Sequence, residues 1–191
     1  MKKNDVPEDL KKEIVKNIHQ TLKKDKDANL ENLFDVLPWY TKKPLKRHLC
    51  WDILLKVQFL KVMDQKVLKM ICDYATPVTF PEDEIIFQSR HRLDRMLFIL
   101  EGSVFTYSTT SDPGRTGASP SIPTKQLGSG QTYGEELLMW ASTNKPRADK
   151  FPTSTEIVKC HTKVEGFALS AKDLISVASE CRRWWNLNND P

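Results

Sequence analysis

The amino-acid sequence predicts an α+β protein: an antiparallel β-roll of the double-stranded jelly-roll type, flanked by helices on both sides. Residues 1–75 contain no glycine and are rich in lysine, leucine and aspartate, whereas all seven glycines lie within residues 76–170. Residues 171–185 return to a helical composition. A chain of 191 residues is long enough for one well-formed core and a small helical appendage.

The first 75 residues predict several short helices. Pro7, followed by two acidic residues, suits a first helical turn, because proline lacks an N–H there and acids lie at the positive end of the dipole. Pro44 is expected to open a third helix, and Asp64 to cap a fourth. Apolar residues recur at helical spacing in four segments: Leu10, Ile14 and Ile18; Leu30, Leu33 and Phe34; Leu45, Leu49, Ile53 and Leu54; Val67, Leu68 and Ile71.

Beyond residue 75 the pattern changes to that of short β-strands bounded by turn residues. The predicted strands lie at 77–80, 84–87, 96–100, 104–107, 157–158 and 164–169. Many short strands with frequent turns favour a sandwich or roll. A capping signal over 170–173 then starts a last helix, whose apolar stripe is Leu174, Val177, Ala178 and Cys181.

Composition excludes several classes of protein. The longest apolar run spans only 96–100, whereas a membrane helix needs about 20 residues, and no apolar stretch follows the charged N-terminus as in a secretory signal. We therefore expect a chain that is soluble on its own and has no transmembrane segment. Four widely spaced cysteines exclude a CxxC zinc finger and favour reduced thiols in the cytosol. A net charge of +4 is too balanced to indicate nucleic-acid binding.

No arrangement of residues points to catalysis or to a metal. The four histidines, His19, His48, His91 and His161, are isolated, whereas a metal-binding cupin roll needs clustered histidines on its strands. The sequence also lacks the GxSxG, GxxxxGK[ST] and GxGxxG motifs. The sequence therefore predicts a protein that is not an enzyme and has no metal site or cofactor.

The segment 127–140 stands out as a candidate site for a sugar-phosphate. A glycine turn leads to Gly134 and Glu135 and then into a short apolar helix. Gly134 would let a ligand approach the backbone, Glu135 would accept hydrogen bonds from a ribose hydroxyl, and the helix N-terminus would offer N–H groups to a phosphate. A simple turn followed by a helix cap is the alternative interpretation of these residues.

The order of elements and several motifs resemble the cytosolic part of plant cyclic nucleotide-gated ion channels. RHLC at 47–50, GEELL at 134–138 and FALSAKDL at 167–174 carry the similarity, which extends from about Val6 to Arg183. PEDLKKEI and ENLFDVLP resemble the C-linker, which in this family couples the pore to the nucleotide domain. The resemblance implies C-linker helices in 1–60, a cyclic nucleotide-binding-like domain in 61–185 and a polar tail in 186–191.

The resemblance also implies residues that would contact cAMP or cGMP. The pair that grips the phosphate in this family, Arg-Thr or Arg-Ala, falls at Ser154 and Thr155. Plant members commonly carry an arginine slightly later, where this chain has Glu156. A carboxylate repels a phosphate, and a hydroxyl replaces a charge-assisted fork with a neutral bond, so we expect weak binding. The expected contacts are Gly134, Glu135, Ser154 and Thr155, with Lys145 or Arg147 of the nearby loop as alternative cations.

Two functions follow from the resemblance. The first is a regulatory domain at the cytosolic face of a ligand-gated cation channel, a tetramer with other subunits, in which ligand or calmodulin binding shifts the gating equilibrium. The second is a degenerate interaction module that no longer binds nucleotide and acts through calmodulin or subunit contacts. The basic, aromatic end of the last helix is the candidate calmodulin contact. Its residues are Arg182, Arg183, Trp184 and Trp185.

Overall fold

The structure is a computed structural model that describes residues 29–108, 123–142 and 151–181, together with positions 12, 14, 16–18 and 20. The described positions between 12 and 20 are helical. Several predictions lie outside the described residues. They concern Pro7 and Leu10, the loop cations Lys145 and Arg147, and the calmodulin candidates Arg182, Arg183, Trp184 and Trp185.

Eight strands in the described ranges form two antiparallel sheets of four strands each, which confirms the predicted roll. The strands are β1 (Thr76–Phe80), β2 (Ile85–Phe87), β3 (Arg95–Glu101), β4 (Ser103–Ser108), β5 (Lys125–Gly128), β6 (Thr132–Tyr133), β7 (Glu156–Cys160) and β8 (Val164–Ser170). One sheet has the order β1-β8-β3-β6 and the other β2-β7-β4-β5. Each sheet therefore contains strands from both the N-terminal and the C-terminal part of the roll.

Helices precede, interrupt and follow the roll. Apart from the helical positions between 12 and 20, the helices in the described ranges are α1 (Leu30–Val36), α2 (Trp39–Leu54), α3 (Gln58–Lys61), α4 (Gln65–Tyr74), α5 (Glu136–Ser142) and α6 (Ala171–Glu180). The predicted caps are confirmed, because Asp64 accepts a hydrogen bond from the Lys66 N–H and Ser170 accepts one from the Asp173 N–H. These bonds satisfy backbone donors that a helix N-terminus would otherwise leave unpaired.

The prediction that Pro44 opens the third helix is wrong. Helix α2 begins at Trp39, after Pro38, and Pro44 lies inside it. A proline within a helix cannot donate to the carbonyl four residues earlier, here that of Tyr40. Trp39 and Tyr40 are 83% and 63% exposed, so the first turn of α2 lies at the surface. The Thr41 hydroxyl also donates to the Pro38 carbonyl, 2.7 Å away, and supports the early first turn.

Helices cover the outer face of the first sheet. Phe34 of α1 meets Phe167 of β8 edge-on, with ring centroids 5.8 Å apart. Phe98 of β3 stands opposite Phe167 in the β3–β8 register, so both rings lie on the same face of the sheet. Phe98 and Phe167 are fully buried. The aromatic layer between sheet and helices is therefore part of the core that fixes the position of α1.

Asp73, at the end of α4, connects α4 to α2. The Arg47 guanidinium donates two hydrogen bonds to its carboxylate, and Lys43 Nζ lies 2.9 Å from Asp73 Oδ2. Lys46 Nζ donates to the carbonyls of Asp73 and Ala75 and so satisfies the C-terminus of α4. Within the described ranges no helix is both long and apolar enough to cross a lipid bilayer.

Candidate functional site

Gly134 forms the turn between β6 and α5. Its φ is +89°, a conformation that side-chain-bearing residues rarely adopt. A Cβ built at residue 134 would lie 2.9 Å from the Arg95 carbonyl oxygen. The close approach of β3 is therefore a structural reason for glycine here, in addition to the predicted approach of a ligand.

Glu135 lies at the surface beside this turn. Its carboxylate oxygen Oε1 accepts a hydrogen bond from the Thr132 hydroxyl, with the two oxygens 2.5 Å apart. Glu135 is exposed. A carboxylate can accept several hydrogen bonds, so the contact with Thr132 orients the side chain without exhausting its capacity for a hydroxyl ligand.

Ser154 is buried and connected to the Gly134 turn by Tyr133. The Tyr133 hydroxyl lies 2.7 Å from Ser154 Oγ, and Ser154 Oγ also donates to the Glu156 carbonyl at 2.6 Å. The Ser154 backbone pairs with Arg90 and His91 through two hydrogen bonds. Two predicted segments that are separate in sequence therefore meet at a hydrogen-bonded contact inside the roll.

Glu156 directs its carboxylate to the same interior. Its Oε1 accepts a hydrogen bond of 3.1 Å from the hydroxyl of Thr106, a residue of β4 that is fully buried. Burial raises the pKa of the Tyr133 phenol against the opposing effect of its hydrogen bond to Ser154, and the negative charge of Glu156 raises it further. The interior beside Ser154 is therefore polar and carries a negative charge.

Thr155 lies on the other side of the backbone. It is exposed, whereas Ser154 is buried and Glu156 is half-buried. Its carbonyl accepts a hydrogen bond from the Ser89 hydroxyl at 3.4 Å. Of the four predicted contact residues, the structure brings Gly134, Glu135 and Ser154 to one region of the roll and directs the Thr155 side chain outward.

Sequence reasoning did not connect Arg90, His91 and Arg92 with this segment. Residues 90–93 pair with 152–154, and Arg92 forms a bridge with Thr153. Cross-strand partners share a face, so Arg92 lies on the outer side with Thr153. Its guanidinium carbon lies 6.0 Å from the centroid of the Phe151 ring. The SRHR run at 89–92 was the available signal, but only the tertiary pairing shows its position.

Two polar residues of the interior, Tyr133 and Thr106, were also missed. Tyr133 lies in the segment that the sequence singled out, one position before Gly134. Val104 and Thr106 are two positions apart in β4 and both lie on its buried face, and this period-two spacing is the signal for an inward hydroxyl. Among the described residues, no three histidine, cysteine, aspartate or glutamate side chains converge into a possible metal-ligand set.

Two antiparallel sheets, a short helix between β6 and β7 and a helix directly after β8 define a β-roll domain with flanking helices. No known family profile matches the chain, but curated proteins do. Cyclic nucleotide-gated ion channel 1 of Arabidopsis thaliana is 36% identical over 178 residues, which cover 93% of this chain and 24% of that protein. “Probable cyclic nucleotide-gated ion channel 10” of the same plant is 35% identical over 178 residues, with the same two shares.

“Protein CNGC15b” of Medicago truncatula is 38% identical over 153 residues, or 80% of this chain and 24% of that protein. The chain is thus a relative of the plant cyclic nucleotide-gated ion channels, which confirms the resemblance seen in its motifs. It spans about a quarter of the length of the curated relatives that it matches.

Proposed function

We propose that this chain is a regulatory region at the cytosolic face of a ligand-gated cation channel. Residues 1–60 would act as the C-linker and residues 61–185 as a cyclic nucleotide-binding-like domain. Similarity over 93% of the chain to proteins named as cyclic nucleotide-gated ion channels supports this role rather than an enzymatic one. The observation that carries the proposal is the Tyr133–Ser154 contact, because it unites the Gly-Glu turn with the expected phosphate segment.

The proposed ligand is cAMP or cGMP, bound weakly. Glu135 would accept a hydrogen bond from the ribose hydroxyl, and Ser154 would lie beside the phosphate. The segment 151–158 has no arginine, and Glu156 adds negative charge to the same interior. A charge-assisted hydrogen bond contributes about 1.5–3 kcal/mol, so its absence lowers affinity roughly tenfold to a hundredfold.

Calorimetric titration of the whole chain with cAMP and with cGMP tests this proposal. We expect weak but saturable binding of at least one nucleotide, which Glu135→Ala abolishes. Glu82→Gln, at an exposed turn between β1 and β2, is the matched control and should bind as the wild type does. Submicromolar binding would contradict the proposed phosphate contact and require a cation from elsewhere, such as Lys145 or Arg147.

A degenerate module that binds no nucleotide is the second candidate function. Its support is that the Ser154 hydroxyl already has two partners within the protein. Such a module would act through subunit contacts in a tetramer or through calmodulin at Arg182, Arg183, Trp184 and Trp185. Absence of any nucleotide signal, together with calcium-dependent calmodulin binding that Trp184→Ala weakens, would favour this function over the first.

A further inference from the structure

Glu165 of β8 is a buried carboxylate with partners from three segments of the chain. Its side chain is 2% exposed. Oε2 accepts hydrogen bonds from the Leu30 N–H at 2.9 Å and from the Thr79 hydroxyl at 2.7 Å, and Oε1 lies 2.9 Å from Lys163 Nζ. A buried charge is costly unless it is paired and hydrogen-bonded. The carboxylate therefore favours the arrangement in which all three partners are in place.

This contact attaches helix α1 to the roll at its first residue, Leu30. Asn29 caps the same helix, and its side-chain oxygen lies 2.9 Å from the Thr79 hydroxyl. Phe167 stands two residues after Glu165, on the same face of β8, and its ring meets Phe34 of α1. Strand β8 thus contacts both the N-terminus and the middle of α1.

The other end of β8 continues directly into α6. Ser170 is both the last residue of the strand and the N-cap of the helix. The Ala171 N–H donates to the Asp94 carbonyl at 2.8 Å. No loop separates β8 from α6, so the strand and the first turn of the helix are directly continuous in backbone.

We propose that β8 couples helix α6 to helix α1, with Glu165 as the positioning residue at the α1 end. The inference rests on the proposed regulatory role and adds the path by which the two helices respond to each other. A shift of Ser170 would move along the strand to Glu165 and change its contact with the Leu30 N–H. Coupling between distant sites travels through contiguous packed and hydrogen-bonded contacts, and β8 provides such contacts to both helices.

A second route between the helices competes with this one. The Tyr74 hydroxyl at the end of α4 donates to Glu180 Oε1 of α6 at 2.9 Å. Asp73 of α4 is held by Arg47 of α2, and α2 follows α1 closely in sequence. An experiment must therefore separate the strand route from the helical route.

Amide hydrogen exchange of the whole chain, without nucleotide, separates them. Glu165→Gln removes the charge at nearly constant volume and should make the α1 amides exchange about tenfold faster. Ser170→Ala removes the α6 cap and should accelerate exchange in α6 roughly fivefold. The coupling prediction is that Ser170→Ala also accelerates exchange in α1, and that this second effect disappears in the Glu165→Gln background. Glu84→Gln, an exposed carboxylate before β2, is the control and should change neither helix.

Two results would overturn the proposal. One is unchanged exchange in α1 when Glu165 is replaced. The other is an equal response of α1 to Ser170→Ala in both backgrounds, which would assign the coupling to the helices; Tyr74→Phe would then abolish it. Thr79→Val, which removes a donor to the same carboxylate, serves as the second variant if Glu165→Gln does not fold. Because no nucleotide is present, either outcome is independent of whether the chain binds cAMP or cGMP.

Discussion

The Tyr133 hydroxyl and Ser154 Oγ lie 2.7 Å apart, although 21 residues separate them in sequence. Tyr133 belongs to the first sheet and Ser154 precedes β7 of the second. The ring of Tyr133 also packs on Phe87 of β2, with centroids 5.0 Å apart. The contact therefore joins the two sheets at the place where the resemblance puts a cyclic phosphate.

The Tyr133–Ser154 contact should stabilise the fold modestly. Tyr133→Phe and Ser154→Ala should each lower the free energy of unfolding by about 1–3 kcal/mol, because each leaves a buried hydroxyl with fewer partners. The double variant should be less destabilised than the sum of the two changes. Urea unfolding of the four proteins measures this coupling, and strict additivity would show that the hydroxyls do not interact.

Removing the negative charge beside Ser154 should improve nucleotide binding. Glu156→Gln keeps the shape of the side chain but not its repulsion of a phosphate, and Ser154→Arg adds a charge-assisted donor. We expect Ser154→Arg to tighten cAMP and cGMP binding by roughly tenfold or more and Glu156→Gln to give a smaller gain. Titration calorimetry measures both changes. If neither variant differs from wild type, the phosphate register assigned here is wrong.

Replacement of Gly134 should destabilise the domain even when no ligand is bound. In Gly134→Ala the residue must keep a φ of +89°, and its Cβ would meet the Arg95 carbonyl oxygen at 2.9 Å. We expect a loss of about 1–3 kcal/mol in the free energy of unfolding. Thermal denaturation tests this, with Gly128→Ala as the control, because a Cβ there would lie 3.8 Å from the Gly102 carbonyl oxygen. Equal melting temperatures for the two variants would contradict the structural reason for Gly134.

The Asp73 cluster should make stability depend on pH in the acid range. Burial disfavours the charged carboxylate, but hydrogen bonds from Arg47 and Lys43 outweigh this effect and hold the pKa of Asp73 below its ordinary value. A carboxylate with a depressed pKa in the folded state stabilises the fold fully above the unfolded pKa of about 3.9, and this contribution is lost as the pH falls through the folded pKa.

Asp73→Asn should therefore reduce stability at neutral pH and weaken the dependence on pH below roughly pH 4. Asp83→Asn is the matched control. Asp83 also pairs with a lysine, Lys159, but its side chain is 77% exposed, and exposed pairs contribute little. Urea unfolding between neutral and acid pH measures both variants. If Asp73→Asn leaves the loss of stability at acid pH unchanged, this cluster is not the cause of that loss.

All four cysteines should resist thiol reagents in the native state. Cys50, Cys72, Cys160 and Cys181 are free and buried. Burial, with a smaller effect from the negative charge of Glu84, raises the pKa of Cys160 to about 12. Because the thiolate is the reactive form, labelling with Ellman's reagent should be slow at neutral pH and reach all four thiols in denaturant. Rapid labelling of the native protein would show that the surrounding helices and strands open readily.

The sequence determined the elements whose signals are local. A cap followed by an apolar stripe at helical spacing predicted α4 from Asp64 and α6 from Ser170, and both are confirmed. Short β-type runs between turns predicted the strands, because alternation and turn residues are properties of neighbours in sequence. The similarity of RHLC, GEELL and FALSAKDL likewise indicated the family before any coordinates.

Tertiary structure decided everything that depends on residues distant in sequence. Helix α2 begins at Trp39 rather than at Pro44, and Thr155 turns outward because its neighbours pair with residues 90–93. Leu30 and Glu165 are 135 positions apart, and no local pattern connects them. Burial and hydrogen bonding between distant segments depend on the packed arrangement of the whole chain, so a buried carboxylate acquires its partners only when helix and sheet meet.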